Sequence, residues 1–586
     1  MYSFLEKYLI KIMSIRKVIL RCIILICLIP TSIIAQTDES GIDKFFALSG
    51  AMSFSFETYD YDTLNYNTHP FRPKYQDNLM RVSANLNIKL GKHFSIPIGM
   101  NLSNQDIAYN LPTVPEENLI DYVRNPRNNI HIDPTYKWVK MHFGSHTPRY
   151  SELTTGDIQI FGAGLDINPG KFILSAHYGI SQYAIEPDTF INSQGAYKQD
   201  VIAGRIGIGK SSGSKFTLNF VKVKDDIYSI VSQPINIDPI EGVTISPLIE
   251  TKIGKRISLK TETSVSIFTQ NQLSESGPSQ EYIPELFSDV ISVNFSSKAD
   301  LAHVSSLGWE GKSFSLAGEV KYLGPGFMPV GYRFIEKDLI DYKVKSGLKL
   351  LKNKFTINGT YGIRTNNLKN TNLVSTKRII GNANIFMQLS KSFNLNVNYS
   401  NFGFNNHQNN QIVRIELINN SFSVSPTYQI ATKSKSHVIS TNLSVNRFQQ
   451  FNITANDFVN TESNTYNLNY LVVFKETPLN LGISFLSMEN TSDVVNINMM
   501  NYQFTASYKM LDKKLVPSLS FNIANIKVNE DTPDMRLGSK VKIKYKINKK
   551  LNCKISFLFN NYKYGSSKDG AILNENRVQL SLSQRF

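Results

Sequence analysis

The feature that most restricts the fold of this chain is a strict alternation of apolar and polar residues. In residues 393–400, Phe393, Leu395, Val397 and Tyr399 alternate with three asparagines and a serine. Successive side chains of a strand point to opposite faces, so this period predicts a strand with one apolar and one polar face. The period recurs from about residue 46 to the final RVQLSLSQRF, and no helical period interrupts it after residue 40. The chain is therefore expected to be all-β.

Short segments rich in Lys, Gly, Ser and Asn divide this pattern at intervals of about 40 residues. They lie at 91–93, 168–171, 212–215, 254–256, 311–313, 352–354, 391–392, 433–435, 475–478, 512–514 and 548–550, and a candidate turn at 134–137 fills the one double-length interval. Longer polar segments lie between them, such as 105–128 and 272–290. Twelve tight turns predict about 26 strands, an even number that places both termini on one side.

The N-terminal sequence has the composition of a secretory signal. A basic lead is followed by an apolar run from Val18 to Ile29, and Ala35 is the small residue expected before a cleavage site. We assign residues 1–36 to a signal peptide, 37–45 to a short periplasmic segment and 46–586 to a barrel. An uncleaved anchor is the alternative, but Arg21 interrupts the apolar run. So short a segment before the first strand predicts that no N-terminal plug is present.

Export, alternation and the absence of a long apolar run together favour one architecture. Outer-membrane proteins cross the membrane with strands of about ten residues, joined by short periplasmic turns and longer outer loops. We therefore predict a transmembrane antiparallel up-and-down β-barrel of about 26 strands in the outer membrane, with both termini in the periplasm. A secreted β-propeller is the competing interpretation, but it requires four short strands and a repeated sequence signature in each period.

The last strand predicts how such a barrel is assembled. Val578, Leu580 and Leu582 share one face, and the chain ends on Phe586. Outer-membrane barrels commonly end on an alternating strand with a final aromatic residue, and we expect the barrel assembly machinery to recognise these four residues.

One block of sequence resembles a known group. It consists of YKWVKMHFG (136–144) and FGAGLDINPGKFILSAHYG (161–179), and PFRPKYQDNL (70–79) and FSIPIGMNLS (94–103) resemble the same group. The group comprises largely uncharacterised outer-membrane β-barrel proteins of the Bacteroidota. The resemblance covers about a quarter of the chain, and it implies fold and location but no activity.

The polar face of the strands should line the lumen, and two sets of basic residues lie on it. The first set forms a lumen basic wall near the C-terminus: Lys540, Lys542, Lys544, Lys546, Lys554, Arg577 and Arg585. The second comprises Lys343, Lys345 and Lys349. Such a wall would attract anions. The alternative is that these charges are neutralised by acidic residues across the strands or on an inward-folded loop.

No sequence motif indicates an enzyme, a cofactor or a metal site. His142, His146 and His177 fall on the inward set. Since His142 and His177 belong to strands two apart, the strand spacing predicts about 10 Å between them, too far to share a metal ion. We expect these histidines to form hydrogen bonds within a polar wall.

The expected function is a transmembrane conduit or scaffold for a solute, a polymer or a protein. A barrel this wide would breach the membrane if it were empty, so we expect long loops or a lipoprotein partner to fill it. The other expected partners are outer-membrane lipid, lipopolysaccharide and the barrel assembly machinery, with no nucleic acid. The alternative is a non-conducting surface barrel, or a subunit of an envelope assembly or secretion machine.

Overall fold

The computed structural model describes residues 45–586 with internal gaps. The gaps are 65–74, 76–77, 105–127, 188–193, 211–212, 233, 235, 276, 278–282, 284–288, 330–336, 370–374, 408–414, 453–456, 494 and 569. The proposed signal peptide lies outside the described residues, as does most of the segment 37–45.

The described residues form 27 strands and one short 3-10 helix. The first fourteen strands are β1 (Phe46–Leu64), β2 (Asn78–Leu90), β3 (Phe94–Ser103), β4 (Asn129–Ile132), β5 (Thr135–Tyr136), β6 (Val139–His146), β7 (Ile160–Ile167), β8 (Phe172–Gln182), β9 (Lys198–Gly209), β10 (Lys215–Asp226), β11 (Glu241–Ile253), β12 (Ile257–Thr269), β13 (Ser297–Glu310) and β14 (Phe314–Leu323). The others are β15 (Leu339–Leu350), β16 (Phe355–Asn366), β17 (Ser375–Gln388), β18 (Phe393–His407), β19 (Ile415–Ala431), β20 (Lys435–Asn452), β21 (Asp457–Phe474), β22 (Leu479–Ser492), β23 (Asn496–Tyr508), β24 (Leu515–Val528), β25 (Asp534–Lys546), β26 (Leu551–Lys563) and β27 (Ile572–Arg585), with the 3-10 helix at Ser566–Lys568.

These strands close into one antiparallel barrel with 26 strand positions around its circumference. Each strand pairs with the next along the chain, and β1 pairs with β27 to close the ring. The short strands β4 and β5 are two segments of one interrupted strand, because both pair with β3 and with β6. The predicted fold class and strand count are confirmed. The predicted absence of an N-terminal plug concerns the residues before β1, and only Phe45 of these belongs to the described residues.

The two ends of the barrel differ in the length of their connections. Twelve tight turns of two to six residues lie at one end. Of the thirteen connections at the other end, ten have seven or more residues, and three (453–456, 493–495 and 529–533) have three to five. The predicted turn near 134–137 is displaced slightly: the two-residue turn is Lys137-Trp138, where Lys137 has a positive φ of 51° and Tyr136 pairs with Val139. YKWVKMHFG therefore contains a hairpin turn rather than a single strand. Both β1 and β27 have their terminal ends on the side of the tight turns, where the Phe586 amide donates to the Gly50 carbonyl at 3.0 Å.

The outer face of the barrel is apolar and exposed. Phe557, Tyr502 and Ile483 are 47, 51 and 59% exposed, and they alternate with polar residues that face the lumen. Such a band is what the lipid-facing side of a membrane-spanning barrel requires, because hydrocarbon offers no partner to polar groups. Among the described residues, no helix is long and apolar enough to cross a membrane.

Candidate functional site

The connection between β6 and β7, residues 147–159, folds into the barrel, and we call it the inner segment. Leu153, Thr154 and Thr155 are each 0% exposed. The segment is compact, since the Tyr150 amide donates to Thr155 Oγ1 at 2.9 Å and the Gly156 amide donates to the Ser151 carbonyl at 2.9 Å. These bonds hold its backbone polar groups away from water, which a buried loop requires.

The tip of the inner segment packs on the inner wall of strands β13–β15. Leu153 forms a buried apolar cluster with Ala302 of β13, Leu323 of β14 and Leu339 of β15. Phe327, from the connection after β14, completes the cluster and is 0% exposed. Burying a leucine completely stabilises a fold by roughly 1.5–3 kcal/mol, so this cluster holds the tip against one wall.

Polar contacts fix the same tip to β12 and β14. Glu262 of β12 is 2% exposed, accepts a hydrogen bond from Ser246 Oγ at 2.6 Å and accepts another from the hydroxyl of Ser151. Ser264 Oγ donates to the Leu153 carbonyl at 3.3 Å. Lys321 of β14 forms an ion pair with Glu152. The inner segment thus extends from β6 and β7 to the inner wall of β12–β15, where its tip forms these apolar and polar contacts.

A second apolar cluster fills the space between the inner segment and the wall below it. Tyr150 and Ile160 pack with Val201 and Ala203 of β9 and with Val221 and Val223 of β10. The Arg205 guanidinium lies 4.1 Å from the centroid of the Tyr150 ring and donates to the Arg149 carbonyl at 3.1 Å. The inner segment covers these apolar residues of β9 and β10 and keeps them from water. This explains why apolar side chains occur on the lumen side of these two strands.

A hydrogen-bonded cluster of histidines and aspartates lies at the root of the inner segment. His142 contacts Asp133 through Nδ1 and Asp166 through Nε2, both at 3.0 Å. His177 Nε2 lies 3.5 Å from Asp166 Oδ1, and its Nδ1 lies 3.1 Å from His146 Nε2. His146 Nδ1 donates to the Gly144 carbonyl at 3.0 Å. Since His146 is the last residue of β6, this network fixes the point from which the inner segment departs.

The predicted separation of these histidines is wrong. The three rings have centroid separations of 5.2–5.4 Å, rather than the 10 Å expected between strands two apart. Gly164 of β7 lies between them and has no side chain; a Cβ there would lie 2.1 Å from His177 Nδ1. The rings therefore lean together over the glycine. Even so, no group of three or more His, Cys, Asp or Glu among the described residues is arranged to hold a metal ion.

No catalytic arrangement stands out in the described part of the chain. The nitrogens of His142 and His177 contact carboxylates and another imidazole, with no hydroxyl on the opposite nitrogen. His303 contacts the hydroxyls of Thr263 and Ser305 and has no carboxylate partner.

The lumen basic wall lies on three adjacent strands. Lys540, Lys542, Lys544 and Lys546 alternate along β25, and Lys554 of β26 is the register partner of Lys544. Within the described residues, none of these five lysines forms an ion pair. Arg577 of β27 differs, because its guanidinium binds Glu57 at 2.7 Å. Arg585 lies at the tight-turn end of the same strand face, and its side chain is exposed.

Two of the three lysines of the second basic set form ion pairs. Lys345 binds Glu319 at 2.8 Å, and Lys343 binds Asp341 at 3.0 Å and Glu319 at 3.4 Å. Arg364 also binds Asp341, at 2.6 Å. For Lys343 and Lys345, the alternative interpretation is therefore the correct one: acidic residues across the strands neutralise their charges. Lys349 is an exposed residue at the turn end of β15.

The inner segment and the lysines occupy opposite walls. With β4 and β5 counted as one strand, twelve strands lie between β12 and β25 in either direction around the ring. One wall carries the inner segment and its engaged carboxylates, Glu152 and Glu262, and the other carries five uncompensated cations. The arrangement narrows the lumen and gives it a charge difference from side to side.

Three residues of the proposed assembly signal share the outer face of β27, and the fourth, Phe586, follows the end of that strand. Val578, Leu580 and Leu582 alternate with Arg577, whose partner Glu57 lies on the lumen side. Leu580 pairs in register with Phe56 and Ile555, and Leu582 with Phe54 and Cys553. These side chains belong to the apolar belt at the seam where the barrel closes.

Comparisons with known proteins give fold-level similarity only. No protein-family model and no curated protein match this chain. The solved structures that are similar include the translocation pore of the P pilus usher PapC (TM-score 0.34, 10% identity, 92% of this chain and 99% of that chain). OccAB4 of Acinetobacter baumannii has a TM-score of 0.28 at 11% identity, covering 64% of this chain and 98% of that chain. The outer membrane protein opdK of Pseudomonas aeruginosa has a TM-score of 0.29 at 8% identity, covering 60% and 94%. At these scores the neighbours carry no information about the cargo of this chain.

Sequence reasoning missed the inner segment. One signal becomes visible once the turn is placed at Lys137-Trp138: β6 has only eight residues, Val139–His146. A tilted crossing needs about 9–11 residues, so a chain that leaves the ladder this early leaves it at membrane depth.

Proposed function

We propose that the protein is an outer-membrane conduit for hydrophilic anionic solutes, narrowed by its inner segment. The observation that carries the proposal is the position of residues 147–159 inside the barrel, with Leu153 buried against the inner wall of β13–β15. A barrel of this strand number is wider than the 16–18-stranded porins that already leave an aqueous channel. The inner segment reduces that opening without a separate plug.

The charge of the cargo is inferred from the opposite wall. Lys540, Lys542, Lys544 and Lys546 stand about 7 Å apart along one strand face, and Lys554 adds a fifth charge beside them. Like charges this close are costly unless anions compensate them. Low-dielectric walls focus the field of such a row into the lumen, which favours anions over cations.

In this proposal the tight turns and both termini face the periplasm, and the longer segments face outward, as in other outer-membrane barrels. Phe586 and the outer face of β27 serve the barrel assembly machinery during insertion. The inner segment supplies part of the filling that we expected from long loops or a lipoprotein partner. Transport rather than catalysis is the function class.

The experiment is conductance in planar bilayers after removal of the inner segment. His146 and Ile160 are register partners, so an Asn-Gly turn in place of residues 147–159 closes the β6–β7 hairpin directly. We expect the shortened protein to conduct more than the wild type, by about twofold or more, because the lumen is wider.

The matched control shortens a connection that packs on neither apolar cluster of the inner segment. Residues 228–232 of the β10–β11 connection include Tyr228 and Val231, which are 89 and 97% exposed. Replacing them with Asn-Gly should leave conductance unchanged. Correctly folded protein that is silent in bilayers both with and without the inner segment would contradict the conduit and favour a scaffold.

A further inference from the structure

The tight turns are rich in lysine and poor in acidic residues, and together they form what we call the basic rim. The twelve turns are 91–93, 137–138, 168–171, 210–214, 254–256, 311–313, 351–354, 389–392, 432–434, 475–478, 509–514 and 547–550. Each contains at least one lysine, and together they contain 17 Lys and Arg but only two acids, Glu476 and Asp512. The whole chain has a formal charge of +16.

The opposite end has the reverse charge. By sequence, the thirteen connections at that end contain 20 Asp and Glu but only 10 Lys and Arg. The barrel is therefore polarised along its axis, with a basic rim at the tight turns and an excess of acidic residues at the other end. A difference of this kind is an electrostatic property of the whole protein rather than of one contact.

The charges of the basic rim are uncompensated. Within the described residues, none of its 17 cations forms an ion pair with a carboxylate. Lys137 shows where such a side chain lies: its Nζ is 5.3 Å from the centroid of the Tyr136 ring, which is 50% exposed. The ammonium therefore lies on the outer perimeter of the barrel, beside an aromatic residue of the apolar belt.

Exposed apolar side chains occur in the same turns. Leu351, Leu389 and Leu511 are 75, 62 and 62% exposed, and Trp138 is 49% exposed. Each shares its turn with a lysine. An apolar side chain next to an ammonium on a flexible stem suits the boundary of a bilayer, because the first enters the acyl region and the second reaches the headgroups.

We propose that the basic rim binds anionic phospholipid headgroups of the leaflet that surrounds the tight turns. The distribution of the cations favours lipid over a protein partner. They occupy all twelve turns and so face every direction around the barrel, as a surrounding leaflet does, whereas a docked protein would contact one arc. Lysines near a membrane surface are attracted to anionic lipid, and the attraction is lost within a Debye length as salt rises.

The test is the lipid preference of the barrel, measured by electron paramagnetic resonance with spin-labelled phosphatidylglycerol and phosphatidylcholine in vesicles of phosphatidylcholine. We expect the motionally restricted lipid shell of the wild type to prefer phosphatidylglycerol by about threefold or more at low salt. At 1 M salt, the ratio of bound phosphatidylglycerol to bound phosphatidylcholine should fall towards 1. A wild-type ratio of one at low salt would overturn the proposal.

Variants separate the basic rim from the lumen. One variant changes Lys352, Lys354, Lys391, Lys433 and Lys475 to Gln, and a second changes Lys509, Lys513, Lys514, Lys549 and Lys550 to Gln. Each should lose a substantial part of the preference. The matched control changes Lys540, Lys542, Lys544 and Lys546, which face the lumen, and should keep all of it. Rim variants that insert normally and keep the full preference would contradict the proposal. This readout is independent of conduction, so either proposal can fail without the other.

Discussion

His146 Nε2 lies 3.1 Å from His177 Nδ1, although β7 separates their strands. The contact exists because Gly164 leaves the space above β7 empty. We predict that Gly164→Val will displace the rings and lower the stability of the folded barrel by roughly 1–3 kcal/mol, as overpacking does. The measurement is the temperature at which the heat-modified band appears on electrophoresis. Gly318→Val is the control, since a Cβ at Gly318 meets nothing within 4 Å. Equal transition temperatures for both variants would contradict the account of Gly164.

A second prediction concerns the neutralised cations. The Asp341 side chain is 0% exposed and binds both Arg364 and Lys343. Asp341→Ala removes the carboxylate that both cations bind and leaves Lys343 with Glu319. Breaking a buried pair in this way costs about 3–5 kcal/mol. Urea denaturation of the folded barrel should show the loss. Glu462→Ala, which breaks the exposed pair with Arg447, should cost at most about 1 kcal/mol. Similar costs for the two variants would mean that Asp341 is not a structural counter-ion.

A third prediction tests the assembly signal. Phe586→Ala should slow insertion and expose the protein to periplasmic proteases, whereas Phe586→Tyr keeps an aromatic ring and should insert normally. Pulse-chase labelling with heat-modifiable migration follows the rate. The Phe586 backbone bond to Gly50 is the same in both variants, so a difference between them reports on the side chain. Equal insertion rates would remove Phe586 from the signal.

A fourth prediction fixes orientation. An epitope tag at Ser566–Lys568 lies in the long connection between β26 and β27, and one at Asn548–Lys550 lies in a tight turn of the basic rim. We expect antibody to label the first on intact cells, and the second only after the outer membrane is permeabilised. The reverse pattern would show that the tight turns face outward.

The barrel itself could be predicted because its physics is local. A period of two places Val541, Ile543 and Tyr545 on one side and the lysines of β25 on the other, whatever the rest of the chain does. The number of lysine-rich turns in the sequence then predicts the number of strands. The predicted turn at 134–137 was displaced because Asp133 and Pro134 only interrupt one strand, between β4 and β5. The hairpin turn itself begins at Lys137.

The candidate site could be predicted only in part, because it depends on contacts between distant parts of the chain. Leu153 meets partners about 150 or more residues away, and no local period marks that meeting. The error in the histidine separation had a different cause. Strand spacing describes backbones, and it does not describe side chains that lean over a glycine such as Gly164.

The charged wall of the lumen gives the most direct test of the proposed function. Reversal potentials across planar bilayers in a potassium chloride gradient report the ratio of anion to cation permeability. The change is Lys540, Lys542, Lys544 and Lys546 to Gln together, which leaves the outer apolar face of β25 intact. Lys549 and Lys550 to Gln is the control, because these residues lie in the turn beyond the lumen wall.

The account predicts that the wild type and the control favour chloride at 0.1 M salt and that the quadruple variant loses most of this preference. The difference should shrink at 1 M salt, where the Debye length is only about 3 Å. A quadruple variant with intact conductance and unchanged anion preference would contradict the central claim that these lysines select the cargo.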